Sequence, residues 1–206
     1  MDVDEASGES KASAIAAEWL ADLTATEALL SGHFGLTSGR HSGTFLLLPR
    51  LVAHPSRLAR WLDVLVPAVE ASGAEAVGGP ALGAVALAWA LASQAGGDRV
   101  ALYAEKADDG SMAVRRGFGP LARRPVFLVE DAMTTGGSLL KAQDAFQAVG
   151  GAVVGVGVLV DRRSPEAGFP LPVTSVLRLP MTSWLPEACP LCQAGKVSLV
   201  HPKQLA

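Results

Sequence analysis

One strand, turn and helix in the middle of the chain constrain its fold more than any other stretch. Residues 126–129 form a short apolar run rich in β-forming side chains, which predicts a buried parallel strand. From Ser138 onward, apolar residues recur at helical spacing until Gly150 and Gly151 interrupt them. A buried parallel strand followed directly by a helix indicates the α/β class.

The turn between this strand and this helix has the chemistry of a phosphate site. The first N–H groups of a helix lack intrahelical partners and carry partial positive charge. Gly136 and Gly137 let a phosphate approach the backbone closely, while Glu130 and Asp131, just before the turn, suit sugar hydroxyls or a developing positive charge. A sugar phosphate would therefore satisfy both halves. The alternative is an ordinary βα turn with Ser138 as its N-cap.

Composition and charge limit the possible function classes. The chain has 206 residues, of which 50% are hydrophobic and 18% charged, which is typical of a globular domain. A formal charge of −3 argues against a general nucleic-acid or membrane-surface binder. No apolar run is long enough to span a bilayer. We expect a cytoplasmic protein with a flexible segment at residues 1–11 and a single domain at residues 12–206.

Apolar periodicity predicts three further helices, at residues 12–30, 56–70 and 81–94. Ser56 is the expected N-cap of the second of these helices, and Pro67 should kink it or end it early. The third is so rich in Ala, Leu and Val that we expect it to be buried on most faces. A hairpin or ordered loop is expected over residues 32–45, and further strands at residues 44–48, 75–80, 99–106, 112–118, 152–160 and 173–179.

Several chemical features lie at the predicted strand ends. The strand at 75–80 enters a Gly-Gly-Pro turn, which repeats the anion-binding logic at a second helix start. The Asp-Gly turn at 108–111 predicts a hairpin that carries Lys106, Arg115 and Arg116, either for phosphate charge or as solvated surface groups.

The last interior strand is followed by two arginines, and without any resemblance Arg162 is interpreted as a surface salt-bridge residue. Near the end of the chain, Cys189 and Cys192 have zinc-knuckle spacing, but a structural zinc site needs four ligands. The histidines form no pattern, so reduced structural thiols or a redox-sensitive pair are the favoured interpretations. No side chain is assigned as a metal ligand.

The run from Glu130 to Ser138, preceded by apolar residues, resembles the phosphoribosyl-pyrophosphate (PRPP) signature of type I phosphoribosyltransferases. The pattern Phe-x-Leu-x-Ser-Gly-Arg-x-Ser at 34–42 is similar to the N-terminal pattern of orotate phosphoribosyltransferases. The resemblance implies a type I phosphoribosyltransferase fold, which is a central mostly parallel sheet flanked by helices. It also implies a small N-terminal hood at about residues 30–50 and a C-terminal extension at about 180–206. It also implies a homodimer.

The reaction implied by this resemblance is transfer of ribose 5-phosphate from PRPP to orotate, with Mg²⁺ held mainly through PRPP. Glu130, Asp131 and Lys106 would be catalytic. The PRPP site would also include Ala132, Met133, Thr134, Thr135, Gly136, Gly137, Ser138, Arg116, Pro80 and Ala81. Orotate would contact Thr134, Arg162, Ser38 and Phe45. The resemblance assigns the carboxylate of orotate to Arg162, whose planar fork suits a carboxylate with two hydrogen bonds. Two alternatives are a type I phosphoribosyltransferase for another base and a non-catalytic PRPP-binding regulator.

Overall fold

The structure is a computed structural model that describes residues 3–164 and 166–201, with side chains described from residue 14 onward. The chain forms two compact units, each described here by itself. The larger unit is His54–Pro180, and the smaller unit combines the chain up to Ala53 with the chain from Met181. In chain order the elements are α1 (Val3–Ala25), β1 (Leu29–Gly35), β2 (His41–Leu46), α2 (Pro49–Val52), α3 (Pro55–Asp63), α4 (Val66–Ala71), β3 (Ala76–Gly78), α5 (Gly83–Gln94), β4 (Val100–Ala101), β5 (Ala104–Lys106), β6 (Met112–Val114), β7 (Pro125–Met133), α6 (Gly137–Ala148), β8 (Ala152–Asp161), β9 (Val173–Arg178), a 3-10 helix (Pro186–Ala188) and α7 (Pro190–Ala194).

A five-stranded parallel sheet organises the larger unit, with strand order β4-β3-β7-β8-β9. Helix α5 packs on β3 and β7, and α6 packs on β7 and β8. The core includes Leu128, Phe146 and Val158, which are fully buried. The predicted α/β class with a mostly parallel sheet is therefore confirmed. Since β7 lies in the middle of the sheet, its carboxyl end is flanked by strand ends on both sides.

The predicted helices of this unit exist, with three corrections. The helix predicted over 56–70 is broken into α3 and α4, and Pro67 lies in the first turn of α4, as its fixed φ favours. His54 is the N-cap of α3, so the prediction of Ser56 was wrong. Helix α5 is not buried on most faces, because Trp89 is 69% exposed beside the buried Leu87. Its small and apolar composition concealed which face is free.

The segment predicted as one strand at 99–106 divides in two. Val100 and Ala101 pair with β3 in the main sheet, while Ala104–Lys106 pairs with β6 in a separate antiparallel hairpin. The predicted Asp-Gly hairpin is confirmed, but β6 ends at Val114 rather than at residue 118.

The smaller unit consists of an N-terminal helix, an antiparallel hairpin of β1 and β2, and the C-terminal tail. Helix α1 begins and ends earlier than predicted, because Leu29 and Leu30 belong to β1. The fraying expected of residues 1–11 and the single domain expected at 12–206 stay predictions. No described helix has both the length and the apolar character that crossing a bilayer requires.

Candidate active site

Strand β7 carries the two acids of the predicted site, and it is longer than the sequence indicated. It continues through Met133, so Glu130 and Asp131 lie on the strand and not in the turn. Successive residues of a strand point to opposite faces. Glu130 accordingly contacts the start of α6, whereas Asp131 lies toward Gly83 at the start of α5. The two carboxylates thus serve the two helix starts.

Glu130 is held by the first turn of α6. Its Oε2 accepts a hydrogen bond of 2.7 Å from the Ser138 hydroxyl. Burial and, to a smaller extent, the nearby Asp131 raise the pKa of Glu130 to about 7, although the bond from Ser138 opposes this. A carboxyl with such a pKa gains or loses its proton near neutral pH. Ser138 is therefore committed to Glu130, and the alternative in which it caps the helix was wrong.

The two carboxylate oxygens of Asp131 have different surroundings. Its Oδ1 accepts a hydrogen bond of 2.6 Å from the N–H of Ala132, and burial raises the pKa of Asp131. Its Oδ2 would lie 3.7 Å from a Cβ added at Gly83. A partly desolvated carboxylate facing a helix start is suited to a cationic or hydroxylic group of a ligand.

The turn after β7 leads into α6 through a left-handed residue. Gly136, the N-cap, has φ of 77°, and a Cβ there would lie 2.4 Å from the ring of Phe169. No side-chain cap occupies the first N–H groups of the helix. Thr134 and Thr135 are exposed beside them. This arrangement offers backbone and hydroxyl donors to an anion.

Two other residues of the predicted PRPP loop contribute differently. Met133 is buried in the core of the larger unit, so its side chain cannot reach a phosphate. Its carbonyl accepts a hydrogen bond of 2.8 Å from the N–H of Arg162. This bond brings the end of β8 to the residue just before Thr134. Ala132 and Gly137 remain within the strand end and the first helical turn.

The turn between β3 and α5 is built from backbone. Gly79 lies so close to β7 that an added Cβ would be 2.3 Å from the Val129 carbonyl oxygen. The N–H of Ala81 donates to the carbonyl of Ala104 at 2.7 Å, which ties the turn to β5. Pro80 is buried and Ala81 half-buried. No charged side chain belongs to residues 79–83.

Strand β5 also places the predicted cations. Lys106 is exposed and lies two residues after Ala104, on the same face of the strand. Arg116 is exposed, and its Nε donates to Glu105 at 2.9 Å. Arg115 is exposed as well. Arg116 is thus held by its own hairpin, while Lys106 extends from the strand joined to the backbone turn.

The two arginines after β8 differ sharply. Arg163 forms a buried ion pair with Asp161, at 3.0 Å from Nε to Oδ1 and 2.8 Å from Nη2 to Oδ2. Among the described residues, one buried side-chain nitrogen or oxygen lacks a hydrogen-bond partner. This atom is Nε of Arg162. Burial lowers the pKa of Arg162. An unsatisfied buried guanidinium nitrogen favours a ligand that supplies acceptors, such as a carboxylate.

Sequence reasoning missed three residues that shape this site: Asp161, Arg163 and Phe169. The Arg163 guanidinium carbon lies 5.9 Å from the centroid of the Phe169 ring, and that ring lies against Gly136. Asp161 therefore holds Arg163, which supports the aromatic wall beside the start of α6. In the sequence, the only sign of this arrangement was the cluster of charged residues at 161–163. That cluster did not indicate which arginine forms the ion pair.

Two residues predicted to contact orotate belong to the smaller unit. Ser38 is exposed in the turn between β1 and β2. Phe45 is half-buried, with its ring centroid 5.6 Å from that of Phe34. The structure thus places Thr134 and Arg162 together just after the carboxyl ends of β7 and β8. Ser38 and Phe45 share a hairpin of the other unit.

The chain is similar to known proteins over most of its length. Residues 70–168 match the model of the phosphoribosyl transferase domain. An orotate phosphoribosyltransferase of Desulforamulus reducens is 36% identical, covering 84% of this chain and 88% of that protein. One of Thermus thermophilus is 40% identical, covering 82% and 92%.

The chain is also similar to solved structures of orotate phosphoribosyltransferases. A crystal structure of the Mycobacterium tuberculosis orotate phosphoribosyltransferase with Fe(III) dicitrate has a TM-score of 0.64 and 29% identity, covering 80% of this chain and 97% of that one. A complex of the same enzyme with PRPP has a TM-score of 0.53 and 31% identity, covering 65% and 80%. With paired acids before an open helix start and relatives of this identity over most of its length, the chain belongs to the orotate phosphoribosyltransferase family.

Proposed function

We propose that this chain transfers ribose 5-phosphate from PRPP to orotate, giving orotidine 5′-phosphate and pyrophosphate, a step of pyrimidine biosynthesis. One observation carries the proposal. Two partly buried carboxylates, Glu130 and Asp131, and the unpaired Nε of Arg162 lie at neighbouring strand ends beside the start of α6. Sugar hydroxyls, a phosphate and a carboxylate are the ligand groups that such a set would bind.

The PRPP phosphate would occupy the start of α6. The N–H groups after Gly136 and the hydroxyls of Thr134 and Thr135 supply donors there. Glu130 and Asp131 would accept hydrogen bonds from the ribose hydroxyls. Their negative charge would stabilise positive charge on the ring as the bond from ribose C1 to pyrophosphate breaks.

The leaving pyrophosphate would lie at the turn between β3 and α5. Pro80 and Ala81 shape this turn, but Pro80 has no N–H and the N–H of Ala81 is bonded to Ala104. The donors would therefore be the first N–H groups of α5, which no side chain caps. Lys106, which extends from the strand paired with the turn, would neutralise the developing charge, with help from Arg116. The orotate nitrogen loses its proton as it bonds to C1, and the departing pyrophosphate or water takes that proton. The protein therefore needs no strong base, and positioning and charge stabilisation supply the rate.

Magnesium fits this donor set. Hard carboxylate oxygens suit Mg²⁺, which keeps several waters and binds substrate phosphates through few protein ligands. Glu130 and Asp131 would hold it indirectly, through the ribose hydroxyls and waters. When bound with PRPP, the ion supplies charge neutralisation on the pyrophosphate oxygens.

Orotate would be oriented by Arg162. A guanidinium fork matches a carboxylate with two parallel hydrogen bonds, and the unpaired Nε is one of its donors. Thr134, adjacent to the residue bonded to Arg162, would contribute a second polar contact. The orotate contacts expected of Ser38 and Phe45, on the hairpin of the smaller unit, stay predictions.

We also propose a homodimer formed through α5. Leu82 is 86% exposed and Trp89 is 69% exposed, and both are large apolar side chains on one helix or its N-cap. Such exposure favours a protein interface. Sedimentation should show a dimer for the unmodified chain and a larger monomer fraction for Trp89→Lys, whereas an unchanged dimer would place the interface elsewhere.

Pyrophosphate release from Mg-PRPP tests the reaction directly. Orotate should trigger release, whereas uracil, adenine and hypoxanthine should not. Arg162→Ala should raise the orotate KM by roughly tenfold to a hundredfold, the value of a lost charged hydrogen bond, while the PRPP KM changes little. Arg123→Ala is the control, since Arg123 is exposed before β7, at the opposite end of the strand.

Release with another base and not with orotate would show a different base specificity. PRPP binding without release for any base would show a regulator. Equal increases in both KM values for Arg162→Ala would contradict a carboxylate contact.

A further inference from the structure

Four side chains of the smaller unit converge outside the residues assigned to the reaction. His33 lies on β1, His41 on β2, Cys189 before α7 and Cys192 within it. One ligand atom from each of the four lies within 4.8 Å of all the others. His33, His41 and Cys189 are buried, while Cys192 is exposed. Two imidazoles and two thiols, three of the four buried, are the donor set of a structural zinc site.

The distances match those of a tetrahedral metal. With Zn–N near 2.0–2.1 Å and Zn–S near 2.3 Å, tetrahedral angles place two nitrogens roughly 3.3 Å apart and a nitrogen and sulfur roughly 3.5 Å apart. Nε2 of His33 lies 3.1 Å from Nδ1 of His41 and 3.5 Å from each sulfur. Nδ1 of His41 lies 3.2 Å from Sγ of Cys192. Four of the six edges of a coordination tetrahedron therefore lie within about 0.3 Å of their expected lengths, and all six are at most 4.8 Å long.

The tautomer of His33 also supports a metal site. Its Nδ1 lies 3.1 Å from the carbonyl oxygen of Val197. A carbonyl only accepts, so Nδ1 carries the proton and Nε2 presents its lone pair to the cluster. A ring nitrogen that donates to a backbone carbonyl while the other faces the metal is the usual arrangement of a zinc-binding histidine.

The charge balance of the cluster also favours a divalent cation. The lone pair of Nε2 can accept only one proton at a time, yet three heteroatoms lie within 3.5 Å of it. Both cysteines are free thiols. Two thiolates and a doubly charged ion form a neutral group, so such a complex can be buried without an unpaired charge.

Backbone pairing fixes both histidines against the tail. The N–H of Val200 donates to the carbonyl of His33 at 2.8 Å. His41 and Trp184 exchange two hydrogen bonds, each of 2.8 Å. The tail thus runs beside the hairpin at both ligand positions, which brings two cysteines to two histidines about 150 positions earlier in the chain. The site is therefore positioned by the fold and not by flexible side chains alone.

We propose that His33, His41, Cys189 and Cys192 bind one zinc ion that joins the hairpin to the C-terminal tail. Four protein ligands leave no open position, so the ion is structural and takes no part in the reaction. The site holds together two distant pieces of a small unit, where a metal contributes most to folding. The exposed Cys192 gives the ion a path of entry. The proposal does not depend on which base the enzyme uses.

Metal analysis of the full chain tests the proposal. Protein that is purified without chelators and without immobilised-metal chromatography should contain about one zinc per chain. Cys192→Ser and His41→Ala should each lower the bound zinc at least about tenfold, while His54→Ala, at an exposed histidine that caps α3, should retain it. Asp131→Asn should also retain zinc, which separates this site from the reaction.

Cobalt substitution gives a readout that does not require activity. Co²⁺ bound at the site should show the intense visible bands of a tetrahedral ion and a near-ultraviolet thiolate charge-transfer band, both lost in Cys192→Ser. Removal of zinc with a chelator should lower the melting temperature, and Zn²⁺ but not Mg²⁺ should restore it.

Three results would overturn the proposal. One is a folded wild-type chain, supplied with Zn²⁺, that binds no zinc. Another is a Cys189–Cys192 disulfide in freshly purified protein, shown by an intact mass about 2 Da lower because two thiol hydrogens are lost. The third is an unchanged cobalt spectrum in Cys192→Ser.

Discussion

The two strand-to-helix turns of the larger unit look alike in sequence but differ in what they present. The turn after β3 has glycines, a proline and no charged side chain, and Gly79 is pressed against the carbonyl of Val129. The turn after β7 follows two partly buried carboxylates with raised pKa values. One turn is thus a backbone cradle, whereas the other also carries ionisable groups.

This difference teaches how the site divides its work. Backbone donors bind an anion in any protonation state of the protein, so the first turn suits a leaving group. Carboxylates beside the second turn cost stability when they are charged and buried, and such a cost is kept where charge acts on a substrate. Substitutions at the second turn should therefore affect turnover, and those at the first should affect folding.

The largest effect is expected for Asp131→Asn. This change keeps the size of the side chain and removes its charge, so kcat should fall by about 10²–10³-fold, or about 3–4 kcal/mol of transition-state stabilisation. Steady-state assays with Mg-PRPP and orotate measure it. Asp144→Asn, at an exposed position of α6, is the matched control. Wild-type turnover in Asp131→Asn would remove the distinction between the turns.

Gly79→Ala should damage folding. The new Cβ would lie 2.3 Å from the Val129 carbonyl oxygen and 2.5 Å from Cβ of Ala84, and backbone cannot move aside easily. We expect a loss of about 3 kcal/mol in the free energy of unfolding, measured by urea denaturation. If stability is unchanged and only the PRPP KM rises, the first turn is not the packed element described here.

Glu130→Gln should stabilise the chain while reducing activity. Because the pKa of Glu130 rises from 4.5 in the unfolded chain to about 7 in the folded chain, unfolding releases a proton between these values. Stability therefore falls as pH rises through that window, and the full cost is present above it. At pH 8 the variant should gain about 2 kcal/mol, after a discount for partial exposure.

Thermal melts of wild type and Glu130→Gln from pH 4 to pH 8 measure this difference. The two curves should converge at the acid end, where the wild-type carboxyl is protonated. Parallel curves with a constant offset would show that the cost of burying Glu130 has another origin.

The smallest effect is expected for Gly83→Ala, the partner of Gly79→Ala in the same turn. An added Cβ would meet only Asp131, at 3.7 Å, an ordinary contact. Since alanine restricts the unfolded chain and favours the helix, stability should rise by about 0.5 kcal/mol in urea titrations. A loss as large as that of Gly79→Ala would show that the whole turn is tightly packed.

Local patterns predicted the elements that build the site. Strand β8, the helix after Gly136 and the Asp-Gly hairpin follow from apolar period and turn chemistry, which act between neighbours in sequence. The residues of the β7–α6 turn likewise had the chemistry of a phosphate site before any contact was known. A prediction failed where distant partners decide, as for the exposed face of α5. The cap of α3 was missed for a local reason, because Pro55 takes the first helical position and makes His54 the N-cap.

Tertiary structure alone decided which charged and metal-ligating groups are paired. The sequence shows two adjacent arginines after β8. Only the fold shows that Arg163 forms an ion pair with Asp161, while Nε of Arg162 lacks a hydrogen-bond partner. It likewise shows a cysteine pair and scattered histidines, and only the pairing of tail and hairpin assembles them. The sequence by itself determined the local elements and the anion-binding turn, because those depend on short-range geometry. The neighbours of each ionisable group depend on chain segments far apart in sequence, so only the packed fold could assign them.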